Sequence, residues 1–164
     1  MANPQYFASF ASPLGELVIT GDGEYLTGLY NREHPEFERA REGIEAPDLF
    51  RDAIRQMREY FAGERTRFEL ALKPRGTDFQ QRVWQALSDI PHGKTASYGQ
   101  ISMKLNSPGA SRAVGTANAR NPLLIIVPCH RVVAANGGLS GYAGGTAAKS
   151  WLLQHEQYPP QRHA

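Results

Sequence analysis

Five consecutive aliphatic residues, Leu123-Leu124-Ile125-Ile126-Val127, must be buried, and the only cysteine of the 164-residue chain follows them after a single proline. One cysteine forms no internal disulfide, so Cys129 is not a staple. A free cysteine can be a small core hydrophobe. Placed where a buried run ends, in Pro128-Cys129-His130-Arg131-Val132, it is also a candidate nucleophile.

The length suits one domain or two small lobes, and 41% apolar with 21% charged residues is ordinary for a soluble globular protein. No apolar run is long enough for a membrane span, and "MANPQYFASF" lacks the layout of a signal peptide. The expected location is cytoplasmic. Charge is unevenly distributed. Through Leu72 there are 8 Lys/Arg against 13 Asp/Glu, whereas Lys73 to Arg131 carries 8 against 2. Between Asp89 and Glu156 there is no acidic residue. Such a stretch suits contact with a polyanion, because a carboxylate near a phosphate repels it.

Residues 5–30 alternate apolar and polar positions around Pro13-Leu14-Gly15 and Gly21-Asp22-Gly23, which predicts short antiparallel strands. Residues 31–46 are charged and irregular and read as an exposed loop. Leu49, Phe50, Ile54, Met57 and Phe61 recur at helical spacing, with Pro47 near the start and Gly63 at the stop. "RFELAL" reads as one more strand, and "KPRG" as a linker. The boundary is placed near Gly76, giving domains 1–76 and 77–164.

The second half reads as mostly helical. Thr77 caps a helix carrying Phe79, Val83, Trp84 and Leu87, and Ser97 opens another with Ile101 and Leu105 inward. Asn106-Ser107-Pro108-Gly109 breaks that helix, and "ASRAVGTANAR" resumes one, a helix-turn-helix pattern. On its second helix Ala113, Val114 and Ala117 give a narrow apolar side, while Arg112, Thr116 and Arg120 share one face. Basic and built from small residues, that helix is a candidate DNA surface. "GLSGYAGG" is a Gly-rich loop and "TAAKSWLLQHEQ" a final amphipathic helix. Glu156, the only carboxylate after Asp89, is the one acid there able to orient His130. Neighbours in extended backbone point to opposite faces, so a Cys129–His130 bond requires a turn or a water.

The stretch from "GTDFQQRVWQAL" through "SRAVGTANARNPLLIIVPCHRVVAANGGLSGYAGGTAAKSWLLQHE" resembles the O6-alkylguanine-DNA alkyltransferases, with weaker similarity over the first half. The resemblance implies an α/β protein: an N-terminal ribonuclease H-like lobe with a small antiparallel sheet, and a helical helix-turn-helix lobe bearing PCHRV. It implies Cys129 as alkyl acceptor, with His130 and Glu156 as a relay through water and Asn121 as the hinge of the active-site segment. Tyr98 would donate to guanine N3 and crowd the target phosphate. Arg112 would fill the base stack, with Ala113, Thr116 and Arg120 on the DNA. The carbonyls of Cys129 and Val132 would read the exocyclic amine, the Ala143 N–H would face O6, and Tyr142 and Gly144 would close over the base.

The expected reaction is a single irreversible transfer after nucleotide flipping, from O6-alkylguanine and also O4-alkylthymine. The expected partner is duplex DNA with alkylated bases, bound in the minor groove largely without sequence preference by a monomer that can be cooperative on DNA. No cofactor is implied, and the first half has no cysteines of the kind that bind zinc in some relatives, so no metal is expected. Two alternatives stand beside this reading. One is an alkyltransferase-like lesion sensor, a class that lacks the acceptor cysteine. The other is a cysteine hydrolase, for which PCHRV supplies no recognisable oxyanion hole.

Overall fold

The computed structural model describes residues 5–136, 138 and 141–157. Parts of the expected Gly-rich loop (Leu139, Ser140), the first four residues and the tail beyond Gln157 lie outside them. Strands β1 (Tyr6–Ser12) and β2 (Gly15–Gly21) form the expected hairpin, closed by the pair Ser12 and Gly15, and β3 (Leu26–Tyr30) follows antiparallel. Asp22 Oδ1 accepts from the N–H groups of Glu24 and Tyr25 and so builds the second turn. The strands bury both faces. Ala8, Phe10, Leu17, Ile19 and Leu29 enter the main core, while Phe7, Val18 and Tyr30 pack on Phe37 in a smaller cluster.

Phe37 corrects the reading of 31–46 as an exposed loop. Asn31, His34 and Phe37 are buried, Phe37–Ala40 is a short helix (α1), and Ile44–Glu45 (β4) pairs parallel to β1. The sheet, ordered β3-β2-β1-β4, is therefore mixed. A single Phe among charges has no period to betray it. "RFELAL" is not a strand either. It meets β3 only through the Leu26–Leu72 bridge, and Gln56 serves the Glu69 backbone in place of a partner strand, accepting from its N–H (2.9 Å) and donating to its carbonyl (3.2 Å). Helix α2 (Arg51–Phe61) turns Ala53, Met57 and Tyr60 inward, but Leu49 belongs to the preceding 3-10 turn and is 50% exposed.

In the second half Thr77 with Gln80 and Ser97 with Gln100 form capping boxes that start α3 (Asp78–Leu87) and α4 (Tyr98–Lys104). Strand β5 (Ala96–Ser97) pairs parallel with β6 (Val132–Val133), a contact that two-residue strands do not announce in sequence. Helices α5 (Ser111–Ala119) and α6 (Thr146–Gln157) complete the set. Val114 and Ala117 are buried on α5, but Ala113 is exposed beside Arg112 and not part of the apolar side.

One core cluster runs through both halves. Trp84 Nε1 donates to the Ala117 carbonyl at 2.9 Å, fixing α3 on α5. Strand β3 reaches the active-site segment directly: the Leu29 N–H donates to Pro122 O (2.8 Å) and Leu124 N–H to Leu29 O (3.1 Å). Ser102 sets the helix-turn-helix turn, donating to the Ser107 carbonyl and accepting from the Ala110 N–H at 3.1 Å. Ser102→Ala leaves both groups without that partner and is expected to cost about 1–2 kcal/mol in urea unfolding, with the denaturant slope unchanged.

Candidate active site at the end of the aliphatic run

The aliphatic run is buried, yet it is not a strand. Ile125 has φ 72°, and the Ile126 N–H donates to the Leu124 carbonyl at 2.7 Å, so a γ-turn centres on a β-branched residue. That conformation costs about 1–3 kcal/mol. Pro128 (φ −81°, ψ 60°) makes an inverse γ-turn, the Cys129 N–H donating to Val127 O at 2.8 Å, and residues Cys129–Arg131 form a 3-10 turn. Backbone this irregular needs side-chain partners inside a core.

Asn121, with no exposed surface, supplies them. Its Oδ1 accepts from the Leu123 N–H (3.0 Å), and its Nδ2 lies within reach of Leu123 O (3.2 Å), Val127 O (2.9 Å) and Cys129 Sγ (3.0 Å). Thus Asn121, expected as a hinge, touches the sulfur itself. His34 supports it from the first half, its Nε2 3.2 Å from the Asn121 carbonyl. Since His34 Nδ1 accepts from the Glu36 N–H, Nε2 is the donor.

Cys129 is 0% exposed, and burial pushes its thiol up to about 12, opposed by the Asn121 hydrogen bond and the Lys149 charge. The resting group is a thiol. His130 sits in the same turn but makes no direct bond to Cys129. Its Nε2 is 2.7 Å from Glu156 Oε2, which also accepts from Tyr60 OH (2.6 Å) and Arg131 Nη2 (3.0 Å), while Arg131 Nε donates to Oε1 (2.7 Å). Burial alone would raise Glu156, but its bonds to His130 and the permanently charged Arg131 fork outweigh this and hold it ionised. Burial lowers His130 below 6.5 against the pull of Glu156, so the ring is neutral at pH 7. An ionised Glu156 accepts from Nε2–H, which leaves Nδ1 a lone-pair acceptor without a partner among the described residues.

Four further groups were missed in sequence. Lys149 is fully buried and donates to the Val132 carbonyl at 2.6 Å, and Asn118 Nδ2 donates to the Cys129 carbonyl at 3.3 Å. The Cys129 carbonyl accepts from the Val132 N–H as well, so of the two carbonyls expected to read a base amine that of Cys129 is engaged twice and that of Val132 by Lys149. Tyr60 and Asn31 come from the first half, Asn31 Nδ2 donating to Gly144 O at 2.8 Å. Lys149 alone left a signal: with Leu152 and Glu156 it shares a face of α6 at i, i+3, i+7.

Tyr142 is buried, edge-on to the His130 ring at 6.4 Å, with Ala143 half-buried and Gly144 buried beside it. Tyr98, half-buried at the start of α4, is raised by burial and by Cys129. Gly141 (φ 86°) passes Tyr98 so closely that a Cβ there would lie 3.1 Å from the hydroxyl. Outside, Arg112, Thr116 and Arg120 line an open groove of about 580 Å³ with Tyr98 and Gly141. Among the described residues no cluster of three His, Cys, Asp or Glu side chains could hold a metal.

Fold and site together define an α/β protein in which a small sheet and a helix-turn-helix enclose a buried, hydrogen-bonded cysteine. Residues 5–74 match the ribonuclease-like domain of 6-O-methylguanine DNA methyltransferase, and residues 78–158 match its DNA binding domain. The chain belongs to this family. It is 48% identical over 158 residues to a methylated-DNA–protein-cysteine methyltransferase of Methanosarcina acetivorans, covering 92% of this chain and 97% of the relative. The same-named protein of Mycobacterium tuberculosis is 47% identical over 152 residues, 93% of this chain and 92% of the relative. The M. tuberculosis O6-methylguanine methyltransferase crystal structure superposes with TM-score 0.89 at 45% identity, covering 97% of this chain and 96% of that one. A structure of that protein with DNA gives 0.87 at 47% identity, covering 93% and 92%.

The site's titrations fix the sign of acid stability. His130 has a folded pKa below its unfolded 6.5, so the unfolded chain takes up the proton first and stability falls as pH drops below about 6.5. Glu156, depressed below 4.5, adds a second loss once pH falls past that value. Urea midpoints are expected level from pH 8 to 7 and declining below, by at most about 1.4 kcal/mol per pH unit for each such group. His130→Gln should shallow the first decline, and in part the second, because the His130 bond is among those that depress Glu156.

Proposed function

We propose that the protein repairs O6-alkylguanine in DNA by moving the alkyl group onto its own Cys129. The observation that carries this is the Asn121–Cys129 contact beside the neutral His130 and ionised Glu156. It equips a buried sulfur to lose a proton and then to be held as an anion. The thiol proton passes through a water to His130 Nδ1, and the resulting imidazolium is stabilised by Glu156. Asn121 Nδ2 and the Lys149 charge favour the thiolate, which offsets part of the burial cost.

The sulfur then attacks the alkyl carbon in line. A C–S bond forms, the C–O bond breaks, and its electron pair goes to the purine O6. The leaving base takes a proton at N3 from Tyr98, and the phenolate recovers one from the His130 imidazolium through solvent, so both side chains return to neutral. The product is a thioether, which nothing in the site hydrolyses, so each molecule acts once.

Cys129 has no exposed surface, and a base within a duplex cannot reach it. The nucleotide must leave the stack and displace the cover that Tyr142, Ala143 and Gly144 form. The exposed Arg112 and Ala113 on α5 suit entry into a minor groove, Arg112 filling the vacated stack, with Thr116 and Arg120 on the backbone. Such contacts carry little sequence preference. The same reading extends to O4-alkylthymine, to action as a monomer in the cytoplasm, and to a division of the chain near Gly76. A lesion sensor without chemistry is disfavoured by the presence of Cys129, and a hydrolase by the lack of a recognisable oxyanion hole in PCHRV.

Incubation with a methylated duplex followed by mass spectrometry is expected to add one methyl group to the peptide bearing Cys129, and Cys129→Ser to take up none. Unmodified wild-type protein that still binds tightly would identify a sensor, and product formed in excess of protein a hydrolase. Arg112→Ala is expected to slow repair of duplex DNA by about tenfold or more while sparing free O6-methylguanine, as loss of a stack-filling side chain requires. Equal losses on both substrates would remove that role.

A further inference from the structure

A second cavity, about 380 Å³, opens where the first half meets the C-terminal end of α5. Three guanidinium side chains line it, those of Arg39, Arg75 and Arg120, and all three residues are exposed. None of the three has an ion-pair or hydrogen-bond partner for its side chain among the described residues, whereas Arg32, Arg41, Arg51, Arg55 and Arg65 all do. Glu36 is the one carboxylate in the lining, so the cleft keeps an excess of two positive charges. Its floor is rich in hydroxyls. Thr20 and Thr27 pair at 2.9 Å, and Tyr30 lies back over Gly28, where a Cβ would come within 2.5 Å of its ring. Burial, with Glu36 adding and Thr20 and Arg75 opposing, pushes the Tyr30 phenol up to about 12, so it stays a proton donor.

Arg120 lines this cleft and also the groove that holds Tyr98, Arg112 and Thr116. The two depressions are thus neighbours on one face, joined through a single side chain. Thr27 Oγ1 donates to Gln5 Oε1 (3.2 Å) and so accepts from Thr20, which leaves the Tyr30 phenol and the uncompensated guanidinium groups as donors. These suit a singly charged, tetrahedral oxyanion, and guanidinium groups take phosphate oxygens in pairs. We propose that this cleft is a phosphate site that seats a backbone phosphate of bound DNA beyond the recognition helix, extending the DNA footprint onto the first half. This rests on the reading of α5 as a DNA surface. It gives the acidic first half a role in duplex affinity that its net charge conceals.

The test is the salt dependence of binding to a short unmodified duplex, followed by anisotropy with the full chain. Arg39→Gln/Arg75→Gln is expected to weaken binding by about an order of magnitude near 0.1 M salt and to shallow the log–log salt slope by about 1, since each lost phosphate contact removes about 0.9. Glu36→Gln is expected to tighten binding, a change of sign that damaged folding does not produce. Arg32→Gln/Arg41→Gln, which removes the same charge from ion-paired neighbours, should leave the slope unaltered. An unchanged slope in Arg39→Gln/Arg75→Gln overturns the proposal. Arg112→Gln without effect would instead overturn the reading of α5. Saturable binding of inorganic phosphate, abolished by Arg39→Gln/Arg75→Gln while duplex affinity stays constant, would assign the cleft to a free anion and equally overturn the DNA assignment.

Discussion

The site depends on one carboxamide. Asn121 spends its donors and its acceptor on a backbone that forms neither helix nor strand, and the same Nδ2 reaches the sulfur. A buried Leu123-to-Cys129 segment would otherwise carry unpaired peptide groups, each expensive in a dry core. With Asn121 in place, the segment tolerates a left-handed Ile125 and two γ-turns, and Cys129 is delivered at a fixed position. Backbone geometry and thiol environment are thus set by the same side chain. The His34 bond to the Asn121 carbonyl anchors that residue from the opposite half.

Electrostatics around the sulfur follow from one permanently charged pair. Arg131 grips both oxygens of Glu156 and also donates to the Ile90 carbonyl at 2.7 Å, so its charge is placed and paired. That pairing lets Glu156 stay ionised while fully enclosed, and an ionised Glu156 in turn fixes the His130 tautomer. Among the described residues Lys149 has no carboxylate partner. Burial lowers its pKa from 10.5 while Cys129 opposes the drop, so the lysine and the sulfur stabilise each other's charged forms. Burial thus keeps the resting group a thiol, while the Asn121 amide and the Lys149 ammonium lower the cost of its anion.

Much of this was legible in the residues. The hairpins, both capped helices, the helix-turn-helix and the burial of the aliphatic run all rest on local signals: turn residues, Ser and Thr caps, and apolar spacing. What the sequence concealed were contacts between distant segments. Phe37 and the strand Ile44–Glu45 fold a charged stretch onto the sheet because one aromatic ring is enough to bury it. "RFELAL" alternates like a strand but finds a glutamine side chain in place of a partner. At the site, Cys129, His130, Asn121 and Glu156 could be named from their motif. Tyr60, Asn31 and Asn118 could not, because a polar residue far along the chain carries no mark of the atom it will meet.

Those hidden contacts alter what the first half is for. Strand β3 lends its backbone edge to residues 122–124, Tyr60 caps the relay carboxylate, and Asn31 ties down the carbonyl of Gly144. Each reaches a different part of the proposed machinery: the segment that carries Cys129, the His130–Glu156 pair, and the Tyr142-to-Gly144 loop. A sheet that only filled space would need none of these polar links, since apolar packing satisfies burial without direction. Directional bonds at three separate points instead fix where the sulfur, the imidazole and the loop stand relative to one another. A reaction that succeeds only in line, over a fraction of an ångström, makes such positioning as consequential as the nucleophile itself.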